Sequence, residues 1–443
     1  MRRRGTTRTR DAGTRADRAR AGAACALALG LLASCGTTVD PIGYNGGSGL
    51  PLGPLTGPST YPNAFRDWLG HTDAEIAAKL DLGFTQLFHG PSTETIYVPV
   101  GTDRAYIQDV FHGSQVRTEG IGYGMLIAVE LDKRDEFDRL WTYAKSMLRV
   151  ASGANLGYFN SFCDNEVGTF ACLDPFGLQQ MTMALILAND RYGNAPDAGA
   201  ADAGMPDAST PGTIDYAADA RELLTLMRHK QDQNGGVVAG VTDTFDASSA
   251  LVLDVPNVTA AGIGRPSIEM PAYYDLWAQA TGDPFWTAAA KAARSYWQRA
   301  ANPTTGLTPV RATFAGVPVT GSEVFQSEAY RAELGMVLDQ IWSGGNTWNP
   351  GECDHLISFF SAQGIDTYGM SYSLDGMTVL NPNHDPTLVA ANGTAALIAS
   401  VSQRTAFVQR VWDMDVPNGV TRYFAGVIYL HALLALSGQL RVY

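Results

Sequence analysis

The sequence predicts an all-α protein. Three observations carry that reading: apolar residues recur at helical spacing from near Ala64 to the C-terminus, breaks fall at Gly and Pro, and the helices so delimited are of two kinds. About twelve helices are expected. Segments 124–131, 181–188 and 426–436 are apolar on nearly every face and belong inside, whereas 136–149, 217–228 and 284–299 alternate polar and apolar residues and belong outside. One small β-hairpin is expected where Ile96-Tyr97-Val98-Pro99-Val100 runs through Gly101-Thr102-Asp103 into Ala105-Tyr106-Ile107. At 443 residues and 45% hydrophobic content the chain can bury one extensive core.

The ends and one insertion stand apart from this pattern. An Arg-rich start precedes the apolar stretch Ala21–Ala33, which has the proportions of a secretory h-region and is too short for a stable membrane span. Leu32-Ala33-Ser34-Cys35 then has the form of a bacterial lipobox, so residues 1–34 are expected to be a lipoprotein signal peptide and Cys35 the lipid-bearing first residue. An ordinary signal peptide, or an overlong start, is the alternative. The expected location is the bacterial cell envelope, with membrane contact only through the lipid, or the secreted medium. Residues 35–61, rich in Gly, Pro, Ser and Thr, suit a flexible tether to a domain spanning 62–443. Within that domain, residues 195–212 carry no large apolar side chain except Met205 and read as a disordered insertion between helices.

Charge and cysteine usage narrow the partners. The formal net charge is −13, and without the eight Arg and two Asp of residues 1–34 it is −19, from 23 basic and 42 acidic residues. Nucleic acid is therefore excluded as a partner, because phosphate binding rests on a basic footprint. A neutral polysaccharide is compatible with this balance, and a cationic one would be attracted. Cys163 and Cys172 bracket a short loop and would close a disulfide in an oxidising compartment, or remain two thiols. The seven His residues are scattered, no His/Cys cluster has metal-ligand spacing, and neither metal nor cofactor is expected.

The stretch Arg117-Thr118-Glu119-Gly120-Ile121-Gly122-Tyr123-Gly124-Met125 places one carboxylate at the glycine-rich mouth of an otherwise apolar helix. A general acid could sit there. The helix dipole would lower its pKa, so holding a proton near neutrality requires burial or a neighbouring carboxylate. The plainer reading is an N-terminal acidic residue that stabilises its helix.

Several blocks taken together resemble glycoside hydrolase family eight, and within it the reducing-end xylose-releasing exo-oligoxylanases and related xylanases. They are the run from Ala105-Tyr106-Ile107-Gln108-Asp109-Val110 through Val116-Arg117-Thr118-Glu119-Gly120 to Trp141, then Arg191-Tyr192-Gly193-Asn194, Pro271-Ala272-Tyr273-Tyr274-Asp275-Leu276-Trp277, Pro303-Thr304-Thr305-Gly306-Leu307, and Arg422-Tyr423-Phe424-Ala425-Gly426. The resemblance implies an (α/α)6 barrel, which the alternation of apolar and amphipathic helices fits, and inverting hydrolysis of β-glycosidic bonds. Inversion needs an acid on one side of the sugar and a carboxylate base on the other, about 6.5–9.5 Å apart. The match makes Glu119 the acid. The family's base lies in a Phe-x-x-Asp-x-(Tyr/Trp)-Arg block, which here reads Phe325-Gln326-Ser327-Glu328-Ala329-Tyr330-Arg331 and makes Glu328 the base, one methylene longer than Asp. Glu323 is a weaker base candidate.

The chain also departs from the family pattern. Its third active-site Asp falls on Phe176, leaving Asp174 as the substitute carboxylate if the loop shifts. Ser161 stands where a sugar-stacking Trp is common, with Phe162 beside it, and Ile268 stands where a Tyr is expected. Candidate sugar-binding residues at matched positions are Tyr123, Tyr273, Tyr330 and Tyr423, with Arg331 to bond a catalytic carboxylate. His384, in Asn381-Pro382-Asn383-His384-Asp385-Pro386, resembles the residue that narrows the leaving-group side of the cleft in exo-acting members, although Asp385 separates it from Pro386. The expected activity is hydrolysis of xylan-derived oligosaccharides. The same chemistry on cellulose, mixed-linkage glucan or chitosan is one alternative, and a catalytically impaired surface oligosaccharide-binding protein is the other.

Overall fold

The computed structural model describes residues 52–58, 60–162, 172–193 and 214–443. Their architecture is the (α/α)6 barrel. Six helices form the inner ring: Thr118–Glu130, Pro175–Tyr192, Pro271–Thr281, Arg331–Ser343, Pro386–Ala395 and Arg422–Leu436. Six more cover them: Asp73–His89, Arg134–Tyr143, Tyr216–Asn234, Pro284–Ala300, Trp348–Gln363 and Arg404–Asp413. Each outer helix packs on an inner one, and the Arg422–Leu436 helix packs against Thr118–Glu130 to close the ring.

The sequence dictates which ring each helix joins. In Arg422–Leu436 every residue except Phe424 is buried, so it has no polar face to offer solvent. In Pro284–Ala300 only Trp286, Ala289, Ala290, Ala293, Tyr296, Trp297 and Ala300 are buried, a single stripe at helical spacing. Proline at the first position fixes the entry of three inner helices, at 175, 271 and 386, where its missing N–H costs nothing. The expected hairpin is present as Tyr97–Val100 paired with Arg104–Asp109, and Gln115–Val116 adds a third short strand. The chain then turns directly into the helix that carries Glu119.

That helix packs unusually closely on its neighbour. A Cβ added at Gly177 would meet the carbonyl carbon of Thr118 and lie 2.5 Å from the Glu119 backbone nitrogen. Glycine is therefore required where the Pro175–Tyr192 helix passes the Glu119 backbone. Gly177→Ala is expected to cost about 1–3 kcal/mol of stability, as overpacking does, and to lower turnover by displacing Glu119. Denaturant unfolding and a rate measurement on the same preparation check both halves.

The expected tether needs correction over its last part. Gly53 donates to the Ala280 carbonyl at 2.8 Å, Thr56 bonds the Gln279 side chain through backbone and hydroxyl at 2.8 and 2.9 Å, and Leu55 is buried. Tyr61 accepts from the Leu440 backbone at 3.0 Å. Gly53, Leu55, Thr56 and Tyr61 are docked on the barrel because Leu55 and Tyr61 supply apolar area and Thr56 finds a fixed partner in Gln279. Residues 1–51, with the signal segment and Cys35, and residues 195–212 lie outside the described residues.

Candidate active site

The N-terminal ends of the inner helices converge on one cleft. Glu119 is the second residue of Thr118–Glu130, Asp174 caps Pro175–Tyr192, Ile268 lies just before Pro271–Thr281, Glu328 sits in the turn leading into Arg331–Ser343, Asp385 caps Pro386–Ala395, and Tyr423 opens Arg422–Leu436. All of them line one of two adjoining cavities, of about 340 and about 80 Å³. Arg117, Glu119, Glu328 and Arg331 line both. Those four therefore stand at the junction.

Arg331 ties the two glutamates together. One guanidinium nitrogen pairs with Glu119 Oε2, and the other lies 3.6 Å from Glu328 Oε2. The Tyr423 hydroxyl donates to Glu119 Oε1 at 3.3 Å. Gly120 makes that approach feasible, since a Cβ there would meet the Tyr423 ring at 2.8 Å. Only 14% of the Glu119 side chain is exposed against 35% of Glu328. Burial pushes the Glu119 carboxyl above its ordinary pKa; Arg331 opposes that shift, and Asp174 reinforces it. Burial would raise Glu328 as well, but Arg265, Arg331 and Arg117 outweigh it and hold that carboxyl below the usual value. The surroundings thus shift two like groups in opposite directions, the pattern by which an acid and a base are told apart.

The remaining predicted residues divide between the cleft and the core. Tyr330 and Tyr423 line the larger cavity, and the Tyr330 hydroxyl donates to the Met370 carbonyl. Tyr123 and Tyr273 do not reach the cleft, which corrects their expected role. Tyr123 is 2% exposed and packs against Phe176 and His431, while Tyr273 is fully buried and donates to Gln180 at 2.8 Å. Both rings are drawn into the barrel interior because they fill it, and for Tyr273 the buried Gln180 amide satisfies the hydroxyl. His384 is exposed and does not line the cavity; its Nδ1 donates to the Tyr368 carbonyl at 2.9 Å. Asp385, next to it, lines the cavity instead. Glu323 is exposed and accepts from the Gly321 backbone at 2.6 Å, outside the cleft.

Asp174 lines the smaller cavity. Its carboxylate accepts from Thr118 Oγ1 at 2.9 Å and from the Phe176 and Gly177 backbone at 3.0 and 3.2 Å, so it is held as a helix cap with its charge close to Glu119. Phe176 is buried beneath Arg331, whose guanidinium carbon lies 4.6 Å from the ring centre. A ring there supports the cation that joins the two glutamates. Cys172 is disulfide-bonded, and Cys163 lies outside the described residues.

Sequence reasoning missed three parts of the site. Asp109, 1% exposed, accepts from Arg117 at 2.6 Å and pairs with His112 at 2.7 Å, so it fixes the wall beside Glu119. Phe111, 60% exposed, and Phe424 line the larger cavity. Asp254 and Arg265 line the smaller one. Asp109 and Arg117 belong to the blocks that carry the resemblance, so their closeness to Glu119 was a usable signal. Asp254 and Arg265 gave none.

Known proteins confirm the lineage of this arrangement. The family model described as glycosyl hydrolases family 8 matches residues 101–167, which include Glu119. The reducing-end xylose-releasing exo-oligoxylanase Rex8A of Paenibacillus barcinonensis is 32% identical over 395 residues, 87% of this chain and 97% of that protein. The chain belongs to glycosyl hydrolase family 8. A reducing end xylose-releasing exo-oligoxylanase of Halalkalibacterium halodurans is 31% identical over 86% of this chain and 94% of its own. The solved structure of Rex8A from Paenibacillus barcinonensis complexed with xylose is 33% identical, with a TM-score of 0.76 over 87% of this chain and 98% of that one. As a family 8 member this protein is a glycoside hydrolase, and the junction of the two cavities lies at the family-matched Glu119.

Proposed function

We propose that this glycoside hydrolase cleaves β-glycosidic bonds of xylan-derived oligosaccharides with inversion, Glu119 acting as acid and Glu328 as base. One observation carries the assignment of roles: the two carboxyls flank Arg331, the deeper Glu119 shifted up by burial and the more open Glu328 shifted down by Arg265, Arg331 and Arg117. Glu328 takes a proton from a water whose oxygen attacks the anomeric carbon. The bond from that carbon to the leaving oxygen breaks, and Glu119 supplies the proton to that oxygen. Each turnover leaves Glu119 ionised and Glu328 protonated, and exchange with solvent restores both. Phe111, Tyr423 and Phe424 offer the apolar surface on which a sugar face stacks.

The substrate reading is supported by the relatives. Two that exceed 30% identity are named for releasing reducing-end xylose, and a structure of Rex8A with a TM-score of 0.76 to this chain is a complex with an arabinofuranosyl-xylotetraose. Endoglucanase C of Ruminiclostridium cellulolyticum, 24% identical over 73% of this chain, marks other β-glycans as the competing substrate class. The test is sugar release from xylo-oligosaccharides, cello-oligosaccharides, mixed-linkage glucan and chitosan, with products resolved by length and anomer. Xylose release with an α-configured first product is expected. Faster cleavage of a glucan than of any xylo-oligosaccharide would overturn the substrate class, and a β-configured first product the mechanism.

We also propose that Cys35 carries a lipid anchor, on the sequence Leu32-Ala33-Ser34-Cys35 after an apolar stretch. Cys35→Ala is expected to move the protein out of the membrane fraction with its melting transition unchanged. Equal membrane association of variant and wild type would count against it.

A further inference from the structure

Glu328 is one methylene longer than the family's Asp, and what it meets at that extra reach is a chain of charges outside the family motif. The chain begins in a two-residue sheet. Ile263 pairs with Thr313 and Gly264 with Ala312 in antiparallel register. The next step of that register sets Arg265 opposite Arg311. Like charges facing each other directly across strands are destabilising unless something lies between them. Asp254 does: it is 4% exposed and ion-pairs with both arginines. Its backbone is fixed to the same sheet, donating to the Ile263 carbonyl at 3.0 Å.

One carboxylate between two guanidiniums leaves a surplus of positive charge, and Arg265 spends it on Glu328 through its Nη1. Arg265 thus bonds Asp254 through Nε and Glu328 through Nη1, which is the rigid fork geometry that a lysine cannot reproduce. Ile268, on the same cavity wall, offers no polar side-chain atom, so from that side Glu328 is held by Arg265.

We propose that Arg265 is the positioning residue of the base: Asp254, clamped by Arg311, aims the Arg265 guanidinium so that it draws the longer Glu328 side chain into working position. The proposal rests on the reading of Glu328 as the base. The charges that face Glu328 are the cations Arg265, Arg331 and Arg117 and the acids Glu119, Asp174 and Asp254. Removing Arg265 therefore takes away a cation and lets the Glu328 pKa rise, whereas neutralising Asp254 takes away an anion and does not.

The two variants separate cleanly in a pH profile of kcat/KM. Arg265→Ala is expected to lower kcat about 100-fold, as an ångström of misplacement can, with a much smaller change in KM, and to move the acid limb up by about one unit or more. Asp254→Asn is expected to lower kcat while the acid limb stays or moves down. Should Arg265→Ala not fold, Arg265→Lys answers in its place: it keeps the charge and loses the fork, so kcat falls while the acid limb stays near wild type. An unmoved acid limb in Arg265→Ala, or full kcat in Arg265→Lys, overturns the proposal. Glu328→Ala, assayed in parallel, tells the two failures apart. If it keeps turnover, the base reading has failed; if it loses turnover while the Arg265 variants behave as wild type, only the positioning role has.

Discussion

Glu119→Gln is expected to lower turnover on natural oligosaccharides by about 100- to 10,000-fold, the range spanned by a positioned general acid, while oligosaccharide affinity stays close to wild type. The amide keeps the size of the side chain and its contact with Tyr423, but it has no proton to give to a leaving oxygen. The loss should therefore shrink on a substrate whose leaving group departs unprotonated, such as a glycosyl fluoride. The pH profile provides a second reading. Because burial holds the Glu119 carboxyl above its ordinary pKa, wild-type kcat/KM falls as pH rises through that raised value, and the residual rate of the variant should lack this alkaline limb. Comparable turnover of variant and wild type on a xylo-oligosaccharide would remove Glu119 from the role.

Glu328→Ala is expected to cost a similar factor, again about 100- to 10,000-fold, and to flatten the opposite limb. The arginines hold Glu328 below the usual carboxylate pKa, so activity is retained down to acid pH and lost as Glu328 finally takes a proton. Glu328→Asp is the sharper experiment. If the site is built around the longer side chain, Asp draws back from Arg265 and turnover falls on the order of 100-fold. If Glu328 is instead a degraded version of the family base, Glu328→Asp, alone or with Phe176→Asp, raises hydrolysis. The packing of Phe176 beneath Arg331 favours the first outcome, since an Asp there would exchange a supporting ring for another buried charge. Calorimetric binding of oligosaccharide to each variant separates lost chemistry from lost affinity.

Much of this protein was legible in the chain itself. The inner helices announced themselves because a helix with no polar face can only be enclosed, and the hairpin before Glu119 followed from alternation around Gly101. Glu119 was legible because it stands at the glycine-rich mouth of an apolar helix, inside a block that resembles family eight. The aromatic assignments were less secure for a physical cause: Tyr123, Tyr273 and Tyr423 all lie on inner helices. A sequence position gives no sign whether such a ring turns into the barrel or up to the cleft, and only Tyr423 lines the cavity.

The sequence by itself determined the helical class, the two kinds of helix and, through the family blocks, the pair of glutamates. Only the tertiary structure decided what surrounds those glutamates. Glu119 and Glu328 stand 209 positions apart in the numbering, and their opposite pKa shifts arise from the depth of one and from Arg265 and Arg331 beside the other. Asp254, Arg265 and Arg311 come from loops with no helical pattern and no motif, and become one chain of charges only when a two-residue sheet sets them side by side. Helix periodicity is written locally because each turn is made of neighbours in sequence. The charge state of a buried carboxyl is set by whatever lies within a few ångströms, and in a barrel those neighbours come from every turn of the ring.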